Sequence, residues 1–162
     1  RAVVERGLQA GAGRVLISGP SDEADATIVI GANEQMLDGQ KIVSNASCTT
    51  NALAPLLAVL DRAFGIVSGQ MTTVHCYTGS QPTVDKPRGD AARSRAAALS
   101  MVPTTTSAGR LIGTVLPATL MPGIHIVTAA MRAAKTATRA RSVMGLLRFT
   151  GSSGTGGATV AP

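Results

Sequence analysis

Short apolar runs alternate with longer segments of helical character along the first part of the chain. Residues 14–17 (Arg-Val-Leu-Ile) and 27–30 (Thr-Ile-Val-Ile) have the composition of buried strands, and a glycine follows each of them closely. A third short strand is predicted at residues 42–44, and residues 1–10 have the pattern of the end of a helix. Because strands that alternate with helices favour parallel pairing, this pattern predicts an α/β fold with a mainly parallel sheet.

The segment from residue 52 to residue 64 predicts an amphipathic helix. Pro55 removes one backbone hydrogen bond and is expected to kink the helix unless it falls in the first turns. Gly65 is well placed to end it. The positions expected to face the core recur at helical spacing and are Leu53, Leu56, Leu57, Leu60 and Phe64.

The pattern changes after this helix. β-branched residues cluster at 72–78 and predict a strand that contains His75. A long irregular loop is expected at 79–89, followed by a helical segment at 93–101, because the latter is rich in alanine and arginine. The remaining predicted elements are a turn at 103–106 and a second helix at 107–116 with Leu111, Ile112 and Val115 directed inward.

Composition supports a globular protein and reveals an asymmetry of charge. Of the 162 residues, 44% are hydrophobic, which provides for a real core, and no apolar run approaches the length of a membrane span. The net charge of +6 is uneven, since residues 1–90 hold nine acids and seven bases, whereas residues 91–162 hold eight bases and no acid. A basic half of this kind is typical of a polyanion binder, or indicates that part of the tail is not a native reading of the gene.

The strongest candidate for chemistry is Cys48. It lies between small hydroxyl residues, after a short strand and at the start of a helix, where unpaired amides and the helix dipole favour the thiolate. A lone cysteine is more often a small buried hydrophobic residue, but the polar flanks and the position of His75 at the end of the next strand weigh against that interpretation. The two residues together are typical of a thiol nucleophile that is activated by a base. Two cysteines make no disulfide framework, so a reduced, cytoplasmic setting is the default expectation.

Three segments carry a resemblance to a known family: ASCTTNAL at 46–53, MTTVHCYT at 71–78 and VPTTTSAG at 102–109. Together they closely resemble phosphorylating glyceraldehyde-3-phosphate dehydrogenase. The resemblance runs from Arg1 to about Pro117. It implies that residues 1–47 are the last part of a Rossmann-type NAD-binding domain and that residues 48–117 are part of an α+β catalytic domain. Residues 118–162 are then a divergent tail, either disordered or out of frame.

The resemblance also implies the roles of individual residues. Cys48 would attack the aldehyde of glyceraldehyde 3-phosphate, and His75 would accept the thiol proton and later act as acid or base. Hydride transfer to NAD or NADP and attack by inorganic phosphate would then complete the reaction. Arg93 and Arg95, taken without the resemblance, are better explained as solvated charges. By resemblance, Ser47, Arg95, Thr106 and Ser107 match the inorganic-phosphate region, Thr78 matches the substrate-phosphate region, Thr49 lies beside the reacting carbonyl, and Ser18 contacts the cofactor.

The chain departs from the family pattern in ways that limit what we expect of it. The glycine fingerprint that holds a dinucleotide pyrophosphate is absent from these residues, and Ser107 stands where glycine is usual, which is tolerable if its φ is negative. We therefore expect a chain without steady-state activity, derived from a homotetrameric cytoplasmic parent with no metal site, no membrane association and no nucleic-acid partner. The alternatives are an erythrose-4-phosphate dehydrogenase-like enzyme, a polyanion binder and a non-functional fragment.

Overall fold

The computed structural model describes residues 2–99, 101–117, 124–132 and 148–151, with side chains for residues 3–99 and 101–117. The chain forms two compact units, which are described separately. Of the described residues, the first unit contains 2–68, 107–117, 124 and 150–151, and the second contains 69–99, 101–106, 125–132 and 148–149. These units divide at residue 68. The predicted boundary at residue 47 separates a cofactor-binding domain from a catalytic domain. It does not coincide with the division at residue 68, and it stays a prediction.

The first unit begins with helix α1 (Ala2–Gln9) and a three-stranded parallel sheet. Strands β1 (Val15–Ile17) and β2 (Ala26–Thr27) flank the central strand β3 (Ile42–Ser44), with Val15 paired to Ile42 and Thr27 to Ser44. All three residues of β3 are buried, and the strand has a neighbouring strand along each edge. The parallel sheet confirms the predicted α/β class.

Helix α2 (Cys48–Phe64) follows β3 and supplies much of the core of the first unit. It runs without interruption through Pro55 and ends at Gly65, whose φ of 68° is readily adopted by glycine. Leu53, Ala54 and Leu57 are buried, whereas Phe64 is 68% exposed. The predicted inward position of Phe64 is therefore wrong. Phe64 is the last residue of the helix, where the apolar stripe extends beyond the part of the helix that is covered.

Helix α3 (Ala108–Val115) packs on α2 within the first unit. Its buried face carries Leu111, Ile112 and Val115, as the sequence predicts. The helix begins after Ser107, which has φ −68°, so the usual glycine is not required at this position. Burial of these side chains against α2 removes apolar surface from water and holds the two helices together.

A four-stranded sheet, most of whose residues belong to the second unit, has the order β5-β6-β4-β7. Its strands are β4 (Ile66–Cys76), β5 (Val102–Thr104), β6 (Ile124–Arg132) and β7 (Arg148–Gly151), and β5 pairs antiparallel with β6. Strand β4 is longer than predicted and carries His75 next to its last residue. The predicted turn at 103–106 begins instead as strand β5.

The described residues 93–99 do not form the helix predicted at 93–101, because side chains near its start bind the backbone in other ways. Asp90 Oδ1 accepts the amide hydrogens of Ala92 and Arg93, at 2.9 and 3.2 Å. Ser94 Oγ donates to the carbonyl of Asp90 at 2.7 Å and accepts from the amide of Arg88 at 3.0 Å. Hydrogen bonds of this kind compete with the helical ladder and favour consecutive turns, despite the helix propensity of alanine.

Strands β6 and β7 lie within residues 118–162, the predicted tail, and β6 is rich in β-branched residues, which favour extended backbone. The expectation of a divergent or disordered tail stays a prediction, and residues 118–123, 133–147 and 152–162 lie outside the described residues. In the part of the chain that the structure describes, no helix has the length and apolar character needed to cross a membrane.

Candidate active site

Cys48 is the first residue of α2 and is exposed. Ser47 caps this helix, since its side-chain oxygen accepts the amide hydrogen of Thr50 at 3.1 Å and lies 2.7 Å from the Thr50 hydroxyl oxygen. Thr49, the second residue of the helix, is half-buried. The thiol therefore lies at the positive end of a 17-residue helix, where the dipole stabilises a thiolate.

The backbone that leads to Cys48, residues 45–47, is called here the cysteine turn. Ala46 in this turn has φ 55°, the left-handed region that residues other than glycine rarely adopt, and it is buried. Asn51 holds the turn from the helix side, because its side-chain amide donates to the carbonyls of Asn45 at 2.7 Å and Ser47 at 2.9 Å. The position of the thiol is thus fixed by several hydrogen bonds and not by the helix cap alone.

Ser18 lies directly after β1, and Cys48 lies four residues after the end of β3. Because β1 and β3 are neighbouring parallel strands, both residues lie at the carboxyl edge of the same sheet, where open α/β sheets bind their ligands. Ser18 is exposed there. The structure therefore brings the predicted cofactor contact and the predicted nucleophile to one edge of the sheet.

His75 lies near the end of β4, in the second unit, and is half-buried. Its Nδ1 atom is 2.6 Å from the carbonyl oxygen of Cys76. Since a carbonyl oxygen only accepts, Nδ1 carries the proton in this contact, and the neutral ring then has its lone pair at Nε2. The Sγ atom of Cys76 lies 3.6 Å from the same Nδ1. In this tautomer the basic nitrogen of the ring is Nε2.

The predicted anion-binding residues Thr78, Thr106 and Ser107 are in different surroundings. Thr78 is exposed, and its hydroxyl oxygen lies 3.1 Å from that of Ser80. Thr106 is half-buried, next to the half-buried Ser107 at the start of α3. The Ser107 side chain makes no hydrogen bond that caps α3.

Arg95 and Arg93 differ in a way that the sequence did not reveal. Arg95 Nη1 forms an ion pair with Asp85 Oδ2 at 2.9 Å, and its side chain is largely exposed. Arg93 instead donates from Nη2 to the hydroxyl of the buried Thr104, and its Nε lies 3.4 Å from Asp90 Oδ2. Arg93 is therefore the arginine held against Thr104 of β5, a contact that no sequence pattern predicted.

Acidification is expected to release the ion pair between Arg95 and Asp85. The hydrogen bond from Arg95, followed by the amide hydrogen bond from Ala96, lowers the pKa of Asp85 below its ordinary 3.8. The ionised carboxylate thus favours the folded loop above pH 3.8, and this contribution is lost as the pH falls through the lower folded value.

An NMR titration of the Asp85 carboxyl group should give a midpoint below 3.8. Arg95→Gln should raise that midpoint, whereas the matched Arg93→Gln should leave it in place, because Arg93 pairs with a different carboxylate. Equal midpoints in the parent chain and Arg95→Gln would contradict the assignment.

Comparison with known proteins identifies the family. Residues 47–147 match the family described as glyceraldehyde 3-phosphate dehydrogenase, C-terminal domain. Over 111 residues the chain is 56% identical to a glyceraldehyde-3-phosphate dehydrogenase from Xanthobacter flavus, and 57% identical to those from Mycobacterium tuberculosis (strain ATCC 25618 / H37Rv) and Cereibacter sphaeroides. Each match covers 68% of this chain and 33% of the relative, so the chain spans about a third of their length.

The family match also corrects one expectation. It continues to residue 147, well beyond Pro117, where the sequence analysis placed its end. Strand β6 lies wholly inside this additional stretch. The hypothesis that the tail is out of frame stays a prediction. With the matched family covering more than half of its residues, the chain belongs to the glyceraldehyde-3-phosphate dehydrogenase family.

Proposed function

We propose that the chain carries the nucleophile-bearing part of a phosphorylating glyceraldehyde-3-phosphate dehydrogenase, with Cys48 as the nucleophile and His75 as its base. The observation that carries this proposal is the position of Cys48 at the first residue of α2, on a turn held by hydrogen bonds from Asn51 and from the Ser47 cap. This arrangement holds an exposed thiol at a helix N-terminus, where the thiolate is favoured.

In the proposed first step the Cys48 thiolate adds to the aldehyde carbon of glyceraldehyde 3-phosphate and forms a C–S bond. The thiol proton goes to Nε2 of His75, the nitrogen with the lone pair when Nδ1 donates to the Cys76 carbonyl. The imidazolium can return that proton to the carbonyl oxygen, which gives a neutral hemithioacetal. This sequence uses only the two side chains and conserves the proton.

The described residues do not fit a complete nicotinamide dinucleotide site. β1 is followed by the turn Ser18-Gly19-Pro20 and then by β2, without a helix whose N-terminus could take a pyrophosphate. We therefore assign Ser18 as a single contact with the NAD or NADP of the parent enzyme and derive no oxidation step. The proposal includes the expectation that this chain lacks steady-state turnover, and that its parent is a cytoplasmic homotetramer acting in glycolysis.

For the anion sites we propose hydroxyl ligands from Ser47, Thr106 and Ser107 for inorganic phosphate and Thr78 for the substrate phosphate, with Thr49 beside the carbonyl. Arg95 was the predicted guanidinium of the inorganic-phosphate site. Arg93 is a second candidate for it, because it is held against Thr104 near Thr106, while Arg95 pairs with Asp85. A guanidinium beside hydroxyls is a suitable partner for phosphate oxygens.

The charge distribution gives no support to the alternative of a polyanion binder. The arginines of the basic half whose side chains the structure describes are all ion-paired: Arg93 with Asp90, Arg95 with Asp85 and Arg110 with Asp22. Among the described residues, the excess positive charge of this half is therefore partly neutralised by acids from the first 90 residues. The remaining bases have side chains outside the described residues.

Alkylation of the intact chain by iodoacetamide, scored for each cysteine by peptide mass spectrometry, tests the proposal. We expect the Cys48 rate to reach half its maximum at a pH below about 8.5, the pKa of an unperturbed thiol. Cys76, the other exposed thiol, is the internal reference. His75→Asn should reduce the Cys48 rate near pH 7. A Cys48 profile with its midpoint at about 8.5, unchanged by His75→Asn, would overturn the proposed pair.

A further inference from the structure

The hydroxyl of Ser44 connects two turns at the carboxyl edge of the parallel sheet. Ser44 is the last residue of the central strand β3 and is fully buried. Its Oγ donates to the carbonyl of Gly19 at 2.8 Å and is 3.2 Å from the amide nitrogen of Ala46, whose hydrogen it accepts. One buried side-chain oxygen is thus bonded to the turn after β1 and to the cysteine turn at the same time.

The two bonded groups lie close in sequence to the proposed cofactor contact and to the proposed nucleophile. Gly19 follows Ser18, the proposed cofactor contact, and Ala46 is the left-handed residue two positions before Cys48. A backbone bond from the amide of Asn45 to the carbonyl of Ile17, at 2.9 Å, reinforces the same connection. Ser44 therefore binds the amide of the left-handed Ala46 and links it to the turn that contains Ser18.

We propose that Ser44 is a positioning residue for Cys48, which holds the cysteine turn in its left-handed conformation and couples it to the Ser18–Gly19 turn. The proposal rests on the proposed function only in taking Cys48 as the nucleophile. A hydroxyl is suited to this place because it donates and accepts at once, whereas an alkyl group would leave a buried amide and a carbonyl without that partner.

Without the Ser44 hydroxyl, the backbone of the cysteine turn is expected to change in a defined way. A left-handed alanine is disfavoured relative to the right-handed or extended conformations, so Ala46 keeps φ 55° only while its surroundings hold it. Once the bond from the Ala46 amide to Ser44 is lost, the turn moves toward extended backbone and Ser47 ceases to cap α2 in its present geometry. The first turn of the helix then frays, and Cys48 loses the amides that favour its thiolate.

The test compares Ser44→Ala with Asp25→Ala in the intact 162-residue chain. Asp25 is a matched control because its Oδ2 accepts the amide hydrogens of Lys41 and Ile42, at 3.2 and 2.9 Å, at the opposite end of β3. Both variants remove side-chain hydrogen bonds to backbone groups, Ser44→Ala at one end of β3 and Asp25→Ala at the other. The measurements are the Cys48 alkylation rate against pH, resolved from Cys76 by mass spectrometry, and the urea midpoint of unfolding.

We expect Ser44→Ala to raise the midpoint of the Cys48 alkylation profile and, at pH values below both midpoints, to slow alkylation by up to about tenfold for each pH unit of that rise. Asp25→Ala should leave that profile in place while lowering the urea midpoint by a similar amount. An unchanged Cys48 profile in Ser44→Ala would overturn the proposal, and so would equal slowing in both variants, which would mean a general loss of stability. If the parent chain itself shows no selective Cys48 reactivity, the proposed function fails first.

A second pair of variants decides the matter if Ser44→Ala does not fold. Ser44→Thr and Ser44→Val have the same shape and add nearly the same volume to the buried site, but only threonine retains a hydroxyl. Faster Cys48 alkylation in Ser44→Thr than in Ser44→Val supports the coupling through the hydroxyl. Equal rates in the two variants contradict it.

Discussion

Valine at position 46 is expected to destabilise the first unit by at least about 2 kcal/mol, because a β-branched side chain is poorly compatible with a left-handed backbone and the site has no room for it. Ala46 has φ 55° and is 1% exposed, so the larger side chain can neither escape to solvent nor relax the backbone without moving the cysteine turn. The free energy of unfolding in urea measures the loss. Cys48 alkylation should slow in the same variant even where it remains folded.

Ala46→Gly is the matched control for this prediction. Glycine adopts φ 55° without strain, which stabilises the turn, but it also loses a buried methyl group, worth about 0.8 kcal/mol. The two effects oppose each other, so the unfolding free energy should change by less than about 1 kcal/mol and Cys48 should keep its reactivity. Valine tolerated as well as glycine would show that residue 46 does not have a left-handed backbone in solution.

Leu57→Ala should be the most damaging single truncation in α2, with a loss of about 2–5 kcal/mol in unfolding free energy. Leu57 is 2% exposed in the core of the first unit, in the helix that packs against α3. Its removal loses the burial of three carbons and leaves a cavity that the neighbouring side chains fill only in part. Urea unfolding followed by circular dichroism gives the magnitude.

The control for Leu57→Ala is Val59→Ala, two residues along the same helix. Val59 is 54% exposed, so its truncation should alter the unfolding free energy by no more than about 0.5 kcal/mol. Cys48 begins this helix, and its selective reactivity should disappear at the urea concentration at which α2 unfolds. Comparable losses in the two variants would mean that α2 is not packed on its Leu53–Leu57 face.

Much of the first unit could be predicted because its signals are local. The short apolar strands, the helical spacing of Leu53 and Leu57 and the glycine at position 65 each indicate one structure over a few residues. The placement of Cys48 at a strand-to-helix turn followed from the same signals. Phe64 was assigned wrongly because periodicity gives the direction of a side chain along a helix but not how far the covering elements extend.

The features that hold the cysteine turn could not be predicted in the same way. Alanine is not a residue type that indicates left-handed backbone, and the conformation of Ala46 depends on a serine hydroxyl that is bonded to Gly19, 25 residues away in sequence. The different partners of Arg93 and Arg95 depend likewise on where Asp85, Asp90 and Thr104 are brought by the chain. Such contacts are fixed by tertiary structure, which a single sequence does not show.

The first unit is discontinuous in sequence, and this has a consequence for the order of events during synthesis. Helix α2 buries its apolar face against α3, and the ion pair between Asp22 and Arg110 also spans the intervening residues. A growing chain therefore completes α2 long before it can supply α3, the helix that packs on it. While the segment up to residue 106 is being made, the nascent chain presents the apolar face of α2 without this partner, and such exposed apolar surface is what chaperones protect.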